Sequence, residues 1–333
     1  MAKSAPTIYD VADQSGVSIS TVSRVLNSPE KVNEKTLKIV RDTISQLGFV
    51  PKADARARAL KGNRRIGVIT PFFTAPSFVQ RLRGVASALQ GTKNELVIYT
   101  VDSSDSLKNY LETLPLTHSL DGLIILSLQF NNIYAQRLAD SGLESVLVEF
   151  PHDSISSVEI DDSMGGQLAA EFLIKKGYKE FAFAGDTNIP EFGIHPITLR
   201  LLGFRQGLHE RGYILRDENI LITPYDSELT SQNAFDFLRS AKYPLGFFAA
   251  TDLQAIGILK AGRKLGLCIP QDLGILGFDD LDVAEYVGLS TIRQHLDESG
   301  RVAVELLLSR ISDRNRPVQH IKLPLTIIER ETV

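Results

Sequence analysis

Residues 7–27 read TIYDVADQSGVSISTVSRVLN and contain two short helical patterns on either side of a glycine. Thr7 precedes the first pattern and Asp10 follows three residues later, a spacing that resembles a capping box with Asp in place of the usual Glu or Gln. Gly16 is expected to end the first helix, and Ser18 to be the N-cap of the second. Two short helices joined by a tight turn that contains glycine predict a helix-turn-helix module.

A third helical pattern completes this N-terminal module. It opens at Asn33 and closes at Gly48, with apolar residues at helical spacing between them. The apolar residues expected to form the core of the three helices are Val11, Val17, Val22, Val25, Leu26 and Leu47. The sequence therefore predicts a small all-α head over residues 1–50.

The charge of the chain is unevenly distributed. Residues 1–65 contain 12 Lys and Arg and 6 Asp and Glu, a net charge of +6. The remaining 268 residues contain 24 basic and 34 acidic side chains, a net charge of −10. This asymmetry favours a polyanion-binding head on an acidic body, although charged runs are also typical of solvated surfaces.

From Ile66 onward, apolar runs of strand length alternate with longer amphipathic segments. The predicted strands are 66–70, 96–101, 122–127, 145–150, 181–185, 245–250 and 273–278. The predicted helices are 77–90, 131–141, 163–177, 198–212, 229–240 and 252–266. Strands that are apolar at nearly every position indicate burial on both faces, as in parallel sheets. The pattern predicts a doubly wound α/β body, and its length favours two such subdomains with a cleft between them.

The segment between the head and the body has a third kind of composition. It reads PKADARARALKGNRR (51–65), begins with proline, and is rich in Ala and Arg with little apolar bulk. Such a segment is typical of a marginal helix that a partner must order.

The cysteine content and the hydropathy of the chain indicate the cellular compartment. The single cysteine, Cys268, excludes an internal disulfide and fits a reducing compartment. We expect it to be a buried strand or turn residue. No run of about 18 apolar residues predicts a transmembrane helix, and the N-terminus lacks the apolar core of a secretory signal. A cytoplasmic protein without a membrane partner follows.

The residue patterns of common enzyme sites are missing from the sequence. The six histidines are scattered without a metal-binding pair, and no dinucleotide-binding or Walker A spacing occurs. Adjacent carboxylates such as Asp279 and Asp280 are expected to diverge on extended backbone. A serine–lysine spacing at Ser28 and Lys31 lies within the predicted head and is better explained by chance. We therefore predict no enzymatic activity, no metal and no cofactor.

Residues 7–27, with Val32, Asn33, Thr36 and the GFVP run at 48–51, resemble the DNA-binding head of the lactose-repressor/galactose-repressor family. The resemblance continues through the body in VEIDDSMGG (158–166), TLRLLGFRQGL (198–208), TDLQAIGILKAGRKLGLCIP (251–270), LGFDD (276–280) and TIRQ (291–294). It covers nearly the whole chain. It implies a body, 66–333, similar to the type I periplasmic sugar-binding fold. Its N-subdomain would comprise about 66–162 and 292–321, and its C-subdomain about 163–291 and 322–333.

The resemblance also implies which residues bind DNA. In this family the second helix lies in the major groove, which directs Ile19, Ser20 and Arg24 toward base edges. Arg24 can donate two hydrogen bonds to a guanine, and Ile19 offers a methyl contact. The other DNA-binding residues predicted in the head are Thr7, Ser18, Thr21, Ser23 and Asn33. Some of these would hold phosphates, and helix capping is the alternative role for Thr7, Ser18 and Ser23.

The hinge departs from the family pattern, Pro-Asn-x-x-Ala-Arg-x-Leu, whose leucine wedges into the minor groove. Lys52 replaces the Asn, and Arg58 stands where the leucine belongs. Leu60 follows two residues later, about 200° further round a helix. Either a shifted register inserts Leu60, which we favour, or Arg58 enters a narrow, electronegative groove. The third alternative is that the stretch is a plain solvated tether. The positions that match are Pro51, Ala55 and Arg56.

For the body, the resemblance implies a small-molecule effector in the cleft, at the carboxyl ends of the strands. Arg200 and Asp279 match the family's ligand-binding arginine and aspartate, which suit hydroxyl groups. Thr251 stands where the family has an asparagine. The other candidates are Phe72, Phe73 and Phe78 as stacking surfaces, with ordinary packing or a dimer contact as the alternative, and Asp161 and Gln294 as weaker cleft residues.

Together these features predict a sequence-specific transcription regulator that acts as a repressor on double-stranded DNA. It would bind a pseudo-palindromic operator as a homodimer, with a tetramer left open, and a small molecule such as a sugar would control it. The alternative is a solute-binding receptor of the same body fold. A receptor would require export and no DNA-binding head, and the N-terminal sequence contradicts both.

Overall fold

The computed structural model describes residues 7–27, 31–47, 49, 64–117, 119–186 and 190–333. They form two compact units, a head that reaches Arg65 and includes 93–95, and a body of 66–92 and 96–333. Most of the hinge segment, with Arg58 and Leu60, lies outside the described residues.

Three helices make up the head: α1 (Ile8–Ser15), α2 (Ile19–Asn27) and α3 (Glu34–Leu47). The predicted capping box is present, since the Thr7 hydroxyl accepts from the Asp10 amide and the Asp10 carboxylate accepts from the Thr7 amide over 2.7 Å. Gly16 ends α1 in the left-handed region, with φ of 66°, where a residue without Cβ is least strained. The helix-turn-helix module is therefore confirmed.

A small apolar core holds the three helices of the head together. Val11, Val22 and Val25 are buried as predicted, and they pack with Val40 and Phe49. Val17 and Leu47 are only half-buried at the edge of this core, and the side chain of Leu26 is not among those described. The core is small because a module of this size has little apolar surface to bury.

Two parallel sheets form the body. The first has the order β11-β5-β4-β3-β1-β2, with β1 (Arg65–Pro71), β2 (Glu95–Val101), β3 (Gly122–Leu126), β4 (Glu144–Val148), β5 (Ser156–Glu159) and β11 (His320–Lys322). The second has the order β12-β10-β9-β8-β6-β7, with β6 (Glu180–Gly185), β7 (Ile220–Ile222), β8 (Leu245–Ala249), β9 (Leu273–Asp279), β10 (Ser290–Arg293) and β12 (Thr326–Ile328). Among the registered strand pairs of the described residues, only that of β12 with β10 is antiparallel.

Helices cover both sheets, as expected for a doubly wound fold. They are α4 (Pro76–Leu89), α5 (Ser104–Thr117), α6 (Asn132–Asp140), α7 (Asp162–Lys175), α8 (Pro196–His209), α9 (Ser227–Leu238), α10 (Asp252–Lys264), α11 (Asp282–Tyr286) and α12 (Leu296–Ser312), with a 3₁₀ turn at Asp217–Asn219. Within the part of the chain that the structure describes, none of these helices is both long and apolar enough to cross a membrane.

Every strand and helix predicted in the body is present, but several elements were missed. The missed strands β5, β7, β10, β11 and β12 span only three or four residues each, and two of the three residues of β11 (HIK) are polar. Such strands exist because a neighbouring strand supplies their hydrogen bonds, which local periodicity does not reveal. The missed helices are α5, α11 and α12.

The chain passes between the two subdomains three times, after β5, after β10 and after β11. Close helix pairs stiffen each subdomain beside these crossovers. A Cβ on Gly84 of α4 would lie 1.8 Å from the Asp297 carbonyl oxygen of α12, and one on Gly203 of α8 would lie 1.9 Å from the Ser163 carbonyl oxygen of α7. Both pairs of helices therefore approach at backbone contact, which sets the position of the side chains that they direct toward the cleft.

The prediction that Cys268 is buried is wrong. Cys268 is exposed in the turn after α10, where its amide donates to Asp272 Oδ2 over 2.8 Å. The apolar run around it, GLCIP, belongs to this turn and not to a strand. The side chain of Cys268 is therefore exposed, although the apolar sequence around it predicted burial.

Candidate functional site

Helix α2 of the head presents a polar face and a buried face. Ser20 and Arg24, four residues apart, are exposed on the same side of the helix, and Ile19 beside them is 43% exposed. Val22 and Val25 are buried against the other helices. The three residues predicted to meet base edges are therefore free of the core of the head.

Most of the polar residues of the head that are predicted to bind DNA lie at helix starts, whereas Ser23 lies in the middle of α2. The Ser18 hydroxyl accepts from the Thr21 amide over 3.2 Å and lies 2.8 Å from the Thr21 hydroxyl. Asn33 Oδ1 accepts from the Thr36 amide over 2.8 Å at the start of α3. Capping is thus present at Thr7, Ser18 and Asn33, while contact with phosphate stays a prediction for these residues and for Thr21 and Ser23.

A cleft of about 610 Å³ lies in the body where strands of both sheets end. A cavity of this size suits a small molecule. The residues that line it are Phe72, Thr74, Ala75, Pro76, Ser77, Phe78, Arg81, Ser127, Glu149, Asp186, Pro190, Gly193, Ile194, Pro196, Ile197, Arg200, Tyr225, Thr251, Leu253, Asp279 and Gln294.

Six of the eight residues predicted for effector binding line this cleft. Phe72 and Phe78 meet edge to face with ring centroids 6.0 Å apart, and they form an aromatic wall at the start of α4. The other four are Arg200, Thr251, Asp279 and Gln294.

Phe73 and Asp161 do not line the cleft. Phe72 and Phe73 are exposed to a similar degree, but only Phe72 lines the cleft, and sequence adjacency could not show which of the two does so. Asp161 is the N-cap of α7, where Oδ1 accepts from the Met164 amide over 2.9 Å. Its other carboxylate oxygen is 3.4 Å from Lys322 Nζ. Asp161 therefore forms an ion pair between the crossover after β5 and the end of β11.

Arg200 is fixed by contacts on several sides of its guanidinium. Its Nε donates to Asp162 Oδ1 over 2.8 Å, and its Nη1 donates to the Ala250 carbonyl over 2.6 Å. The guanidinium carbon lies 3.6 Å from the centre of the Phe278 ring. Burial raises the pKa of Asp162 above its ordinary value, although Arg200 acts in the opposite direction. Arg200 therefore enters the cleft in a single orientation.

Asp279 lies at the end of β9 and is 4% exposed. It accepts a hydrogen bond from Gln294 Nε2, and one of its oxygens is 3.9 Å from Arg200 Nη1. Burial raises the pKa of Asp279 to about 6, and Arg200 offsets part of that effect. Behind it, burial and the charge of Asp279 raise the pKa of Asp252, whose carboxylate accepts from the Thr291 hydroxyl and the Leu281 amide. A hydroxyl donor that met Asp279 would stabilise its ionised form.

Among the cleft residues that were not predicted from the sequence, four contribute the polar groups described next: Arg81, Ser127, Glu149 and Tyr225. Ser127 and Glu149 directly follow the buried strands β3 and β4, a position that could have identified them. Arg81 lies on the buried face of α4, where a helical pattern leads one to expect an apolar residue, so no local signal marked it.

Arg81 and Glu149 form a buried ion pair that also includes Ser127. Burial tends to raise the pKa of Glu149, but the Arg81 guanidinium and the Ser127 hydroxyl hold it below its ordinary value. Glu149 is therefore a carboxylate at neutral pH.

Tyr225 enters the cleft from the loop between β7 and α9. Burial, helped by the charge of Asp279, raises the pKa of its hydroxyl far above neutral pH, while an interaction with Ser77 acts in the opposite direction. The phenol is therefore a neutral hydroxyl group.

Backbone strain is concentrated at the cleft. Six non-glycine residues in the described ranges have positive φ, and four of them line the cleft: Phe72 (45°), Ser127 (51°), Glu149 (67°) and Asp279 (127°). Such conformations cost free energy and are often retained at binding sites.

The cleft combines fixed hydrogen-bond donors and acceptors with an aromatic wall, an arrangement that can bind a ring carrying several hydroxyl groups. Over the described ranges, no cluster of His, Cys, Asp or Glu is arranged to hold a metal ion.

Comparison with protein families matches two parts of the chain. Residues 7–52 match the model of the bacterial regulatory proteins of the lacI family, and residues 170–333 match that of the periplasmic binding protein-like domain. These ranges contain the helix-turn-helix and the C-terminal half of the body.

Curated relatives align over almost the whole chain. The catabolite control protein A of Priestia megaterium is 29% identical over 330 residues, which covers 98% of each protein. The ribose operon repressor of Escherichia coli K12 is 29% identical over 335 residues, covering 97% of this chain and 98% of the repressor. Among solved structures, a LacI family transcriptional regulator from Enterococcus faecium with bound ribose is 27% identical, with a TM-score of 0.70 over 81% of this chain and 98% of that one.

Proposed function

This chain belongs to the lacI family of bacterial regulatory proteins, and on that premise we propose that it is a dimeric transcription repressor. In this proposal a sugar controls the repressor, either by releasing it from its operator or by keeping it bound there. The observation that carries the proposal is the pairing of a helix-turn-helix head with a cleft that contains Arg200 and Asp279. DNA binding and transcription regulation are properties of the family. The dimer, the pseudo-palindromic operator and the sugar are what the proposal adds.

The exposed face of α2 supports sequence-specific binding. Arg24 offers two parallel donors to guanine, Ser20 offers a hydroxyl, and Ile19 offers a methyl surface to thymine. The helix starts at Thr7, Ser18 and Asn33 provide amides and polar side chains for phosphates, which fix the register of the head on the duplex. A dimer with two-fold symmetry requires two half-sites of opposite orientation, hence a pseudo-palindrome.

The cleft supports a sugar as the effector. Asp279 and Glu149 can accept from hydroxyl groups, Arg200 and Gln294 can donate to them, and the rings of Phe72 and Phe78 can cover the apolar face of a pyranose or furanose. The relative from Enterococcus faecium contains ribose, and a relative of known structure named CelR contains cellobiose. Which sugar this chain binds is open to the experiment below.

The two subdomains supply the control mechanism. Their side chains meet at the cleft and the chain crosses between them three times, so a ligand that binds two arrangements unequally shifts the population between them. In the proposed dimer, that shift changes the placement of the two heads and alters operator affinity by a coupling free energy of about 1–3 kcal/mol.

The test combines operator selection with ligand titration. The full-length protein selects sites from a genomic DNA library, and the selected operator is then titrated in the presence of ribose, glucose, cellobiose and a nucleoside. We expect a symmetric site and a change of operator affinity of 5-fold or more with one sugar. A selected site without two-fold symmetry would refute the dimeric arrangement, and unchanged affinity with every sugar would refute the effector class.

A further inference from the structure

Arg81 is a cation buried in the wall of the cleft, only 4% exposed. Its Nη2 donates to Glu149 and, over 3.0 Å, to Gln294 Oε1, and its Nη1 lies 3.4 Å from the Ser127 hydroxyl. Its Nε is buried and has no hydrogen-bond partner in the described residues. The donors of Arg81 are therefore either bound to protein partners or closed off from the cleft.

Arg81 offers no free pair of donors to an anion. Phosphates and carboxylates bind arginine best through two parallel N–H groups of one guanidinium, Nε with Nη2 or Nη1 with Nη2. In Arg81, Nη2 is already bound to Glu149 and Gln294. In Arg200, the first of these pairs is occupied because Nε is bound to Asp162. An anionic ligand would therefore have to displace a protein partner at Arg81.

The balance of charge in the cleft also opposes an anion. Arg81 and Arg200 are the cationic side chains that line it, within the ranges that the structure describes. Three carboxylates line it over the same ranges, those of Glu149, Asp186 and Asp279, and Asp162 also pairs with Arg200. In a site of low dielectric, a further negative charge beside Glu149 and Asp279 would be repelled at short range.

We propose that the Arg81–Glu149 pair makes this cleft selective for an uncharged hydroxylated ligand and excludes the phosphorylated and carboxylated forms of that ligand. The inference rests on the proposed function and specifies the chemistry of its effector. Arg81 then acts as a specificity-determining residue, because Glu149 compensates the charge that would otherwise attract phosphate.

The experiment replaces the carboxylate without changing its shape. Glu149→Gln keeps an oxygen for Arg81 and a polar partner for Ser127, but it leaves the guanidinium without its counter-ion. The matched control is Glu305→Gln, an exposed carboxylate on α12 that pairs with Arg301. A third variant, Glu149→Gln with Arg81→Met, removes the cation as well, and circular dichroism checks that each protein is folded.

Two titrations follow by calorimetry on the full-length proteins at constant ionic strength. The first compares matched ligands: ribose with ribose 5-phosphate, and glucose with glucose 6-phosphate and glucuronate. The second uses inorganic phosphate alone. The head is identical in all variants, so any phosphate that it binds contributes equally to each titration and does not affect the comparison.

We expect the wild-type protein and Glu305→Gln to bind the neutral sugar of at least one set, ribose or glucose, at least 10-fold more tightly than its charged forms. Glu149→Gln should bind inorganic phosphate at least 10-fold more tightly than the wild-type protein does, and the added Arg81→Met change should abolish that gain. A wild-type preference for the phosphorylated or carboxylated member would overturn the inference. So would a folded Glu149→Gln variant without any gain in phosphate affinity.

The phosphate titration separates this inference from the proposed function. If the wild-type protein binds none of the sugars in either form, the proposed effector class fails. The phosphate affinity of Glu149→Gln still decides whether the Arg81–Glu149 pair excludes anions: a gain supports the inference, and no gain refutes it.

Discussion

Arg81 and Gln294 are joined by a hydrogen bond of 3.0 Å, from Nη2 to Oε1. Arg81 lies on α4, and Gln294 lies in the crossover after β10, where its Nε2 donates to Asp279 at the end of β9. One amide therefore links a cation of the first subdomain to a carboxylate of the second. A ligand that bound Asp279 would compete directly with this link, so the residue on the crossover is positioned to respond to occupancy of the cleft.

Arg24→Ala should reduce the preference of the protein for its operator. Loss of two donors to a guanine costs about 5- to 150-fold in discrimination between specific and scrambled duplexes. Fluorescence anisotropy with both duplexes, at several salt concentrations, measures the ratio. Lys38→Ala, a basic residue exposed on α3, is the control and should weaken both duplexes to a similar degree. Unchanged selectivity in Arg24→Ala would remove this residue from base recognition.

Arg200→Ala should abolish the ligand response and also destabilise the body. The substitution leaves the carboxylate of Asp162 buried without its partner, which costs about 3–5 kcal/mol of the free energy of unfolding. Arg205→Ala on the same helix breaks an exposed pair with Asp217 and should cost about 1 kcal/mol or less. Urea unfolding and calorimetry measure the two effects. Full ligand binding by Arg200→Ala would contradict its assignment to the cleft.

Ligand affinity should fall as the pH is lowered through about 6. Burial raises the pKa of Asp279 to about 6, and ligand hydroxyls donate to its ionised form, so binding must release a proton wherever the carboxyl is protonated. Below pH 6 the affinity should drop by up to about 10-fold per pH unit. Calorimetry in buffers of different ionisation enthalpy measures the released proton directly. An affinity that increases toward pH 5 would show that the neutral carboxyl is the binding form.

Leu60→Ala should reduce DNA bending more than Arg58→Ala does. A leucine inserted between base pairs separates them and permits a bend, whereas an arginine responds to the width of the minor groove. Bending is measured by energy transfer between dyes at the ends of an operator duplex. The reverse order of effects would assign the minor-groove contact to Arg58. Both residues lie in the hinge segment, so this prediction depends on the sequence alone.

The head and the buried strands could be predicted because their signals are local. The spacing of Thr7, Asp10 and Gly16 determines where α1 starts and stops, since the capping groups and the glycine act on the nearest turn of the helix. The central strands were recognised by continuous apolar runs, because burial on both faces removes the polar residues. Short edge strands such as β7 depend on partners that are distant in sequence.

The cleft could be predicted only in part, for the same reason. Arg200 and Asp279 were identified from a family resemblance, and Phe72 from its position after a strand. Asp161 was misplaced because a carboxylate at the start of a helix can cap that helix as readily as it can face a cavity. Phe73 was included because it adjoins Phe72, but only Phe72 lines the cleft.

By itself, the sequence determined the two-part organisation of this protein, with a basic helix-turn-helix head and an acidic α/β body, because capping, periodicity and charge act over a few neighbouring residues. Only the tertiary structure decided what the cleft contains. Arg81 and Glu149 are 68 residues apart, and Arg81 and Gln294 are 213 apart, so their contacts arise from the way that α4, β4 and the crossover pack. The close approach of α4 and α12 at Gly84 holds Arg81 in that position, and no local pattern encodes it.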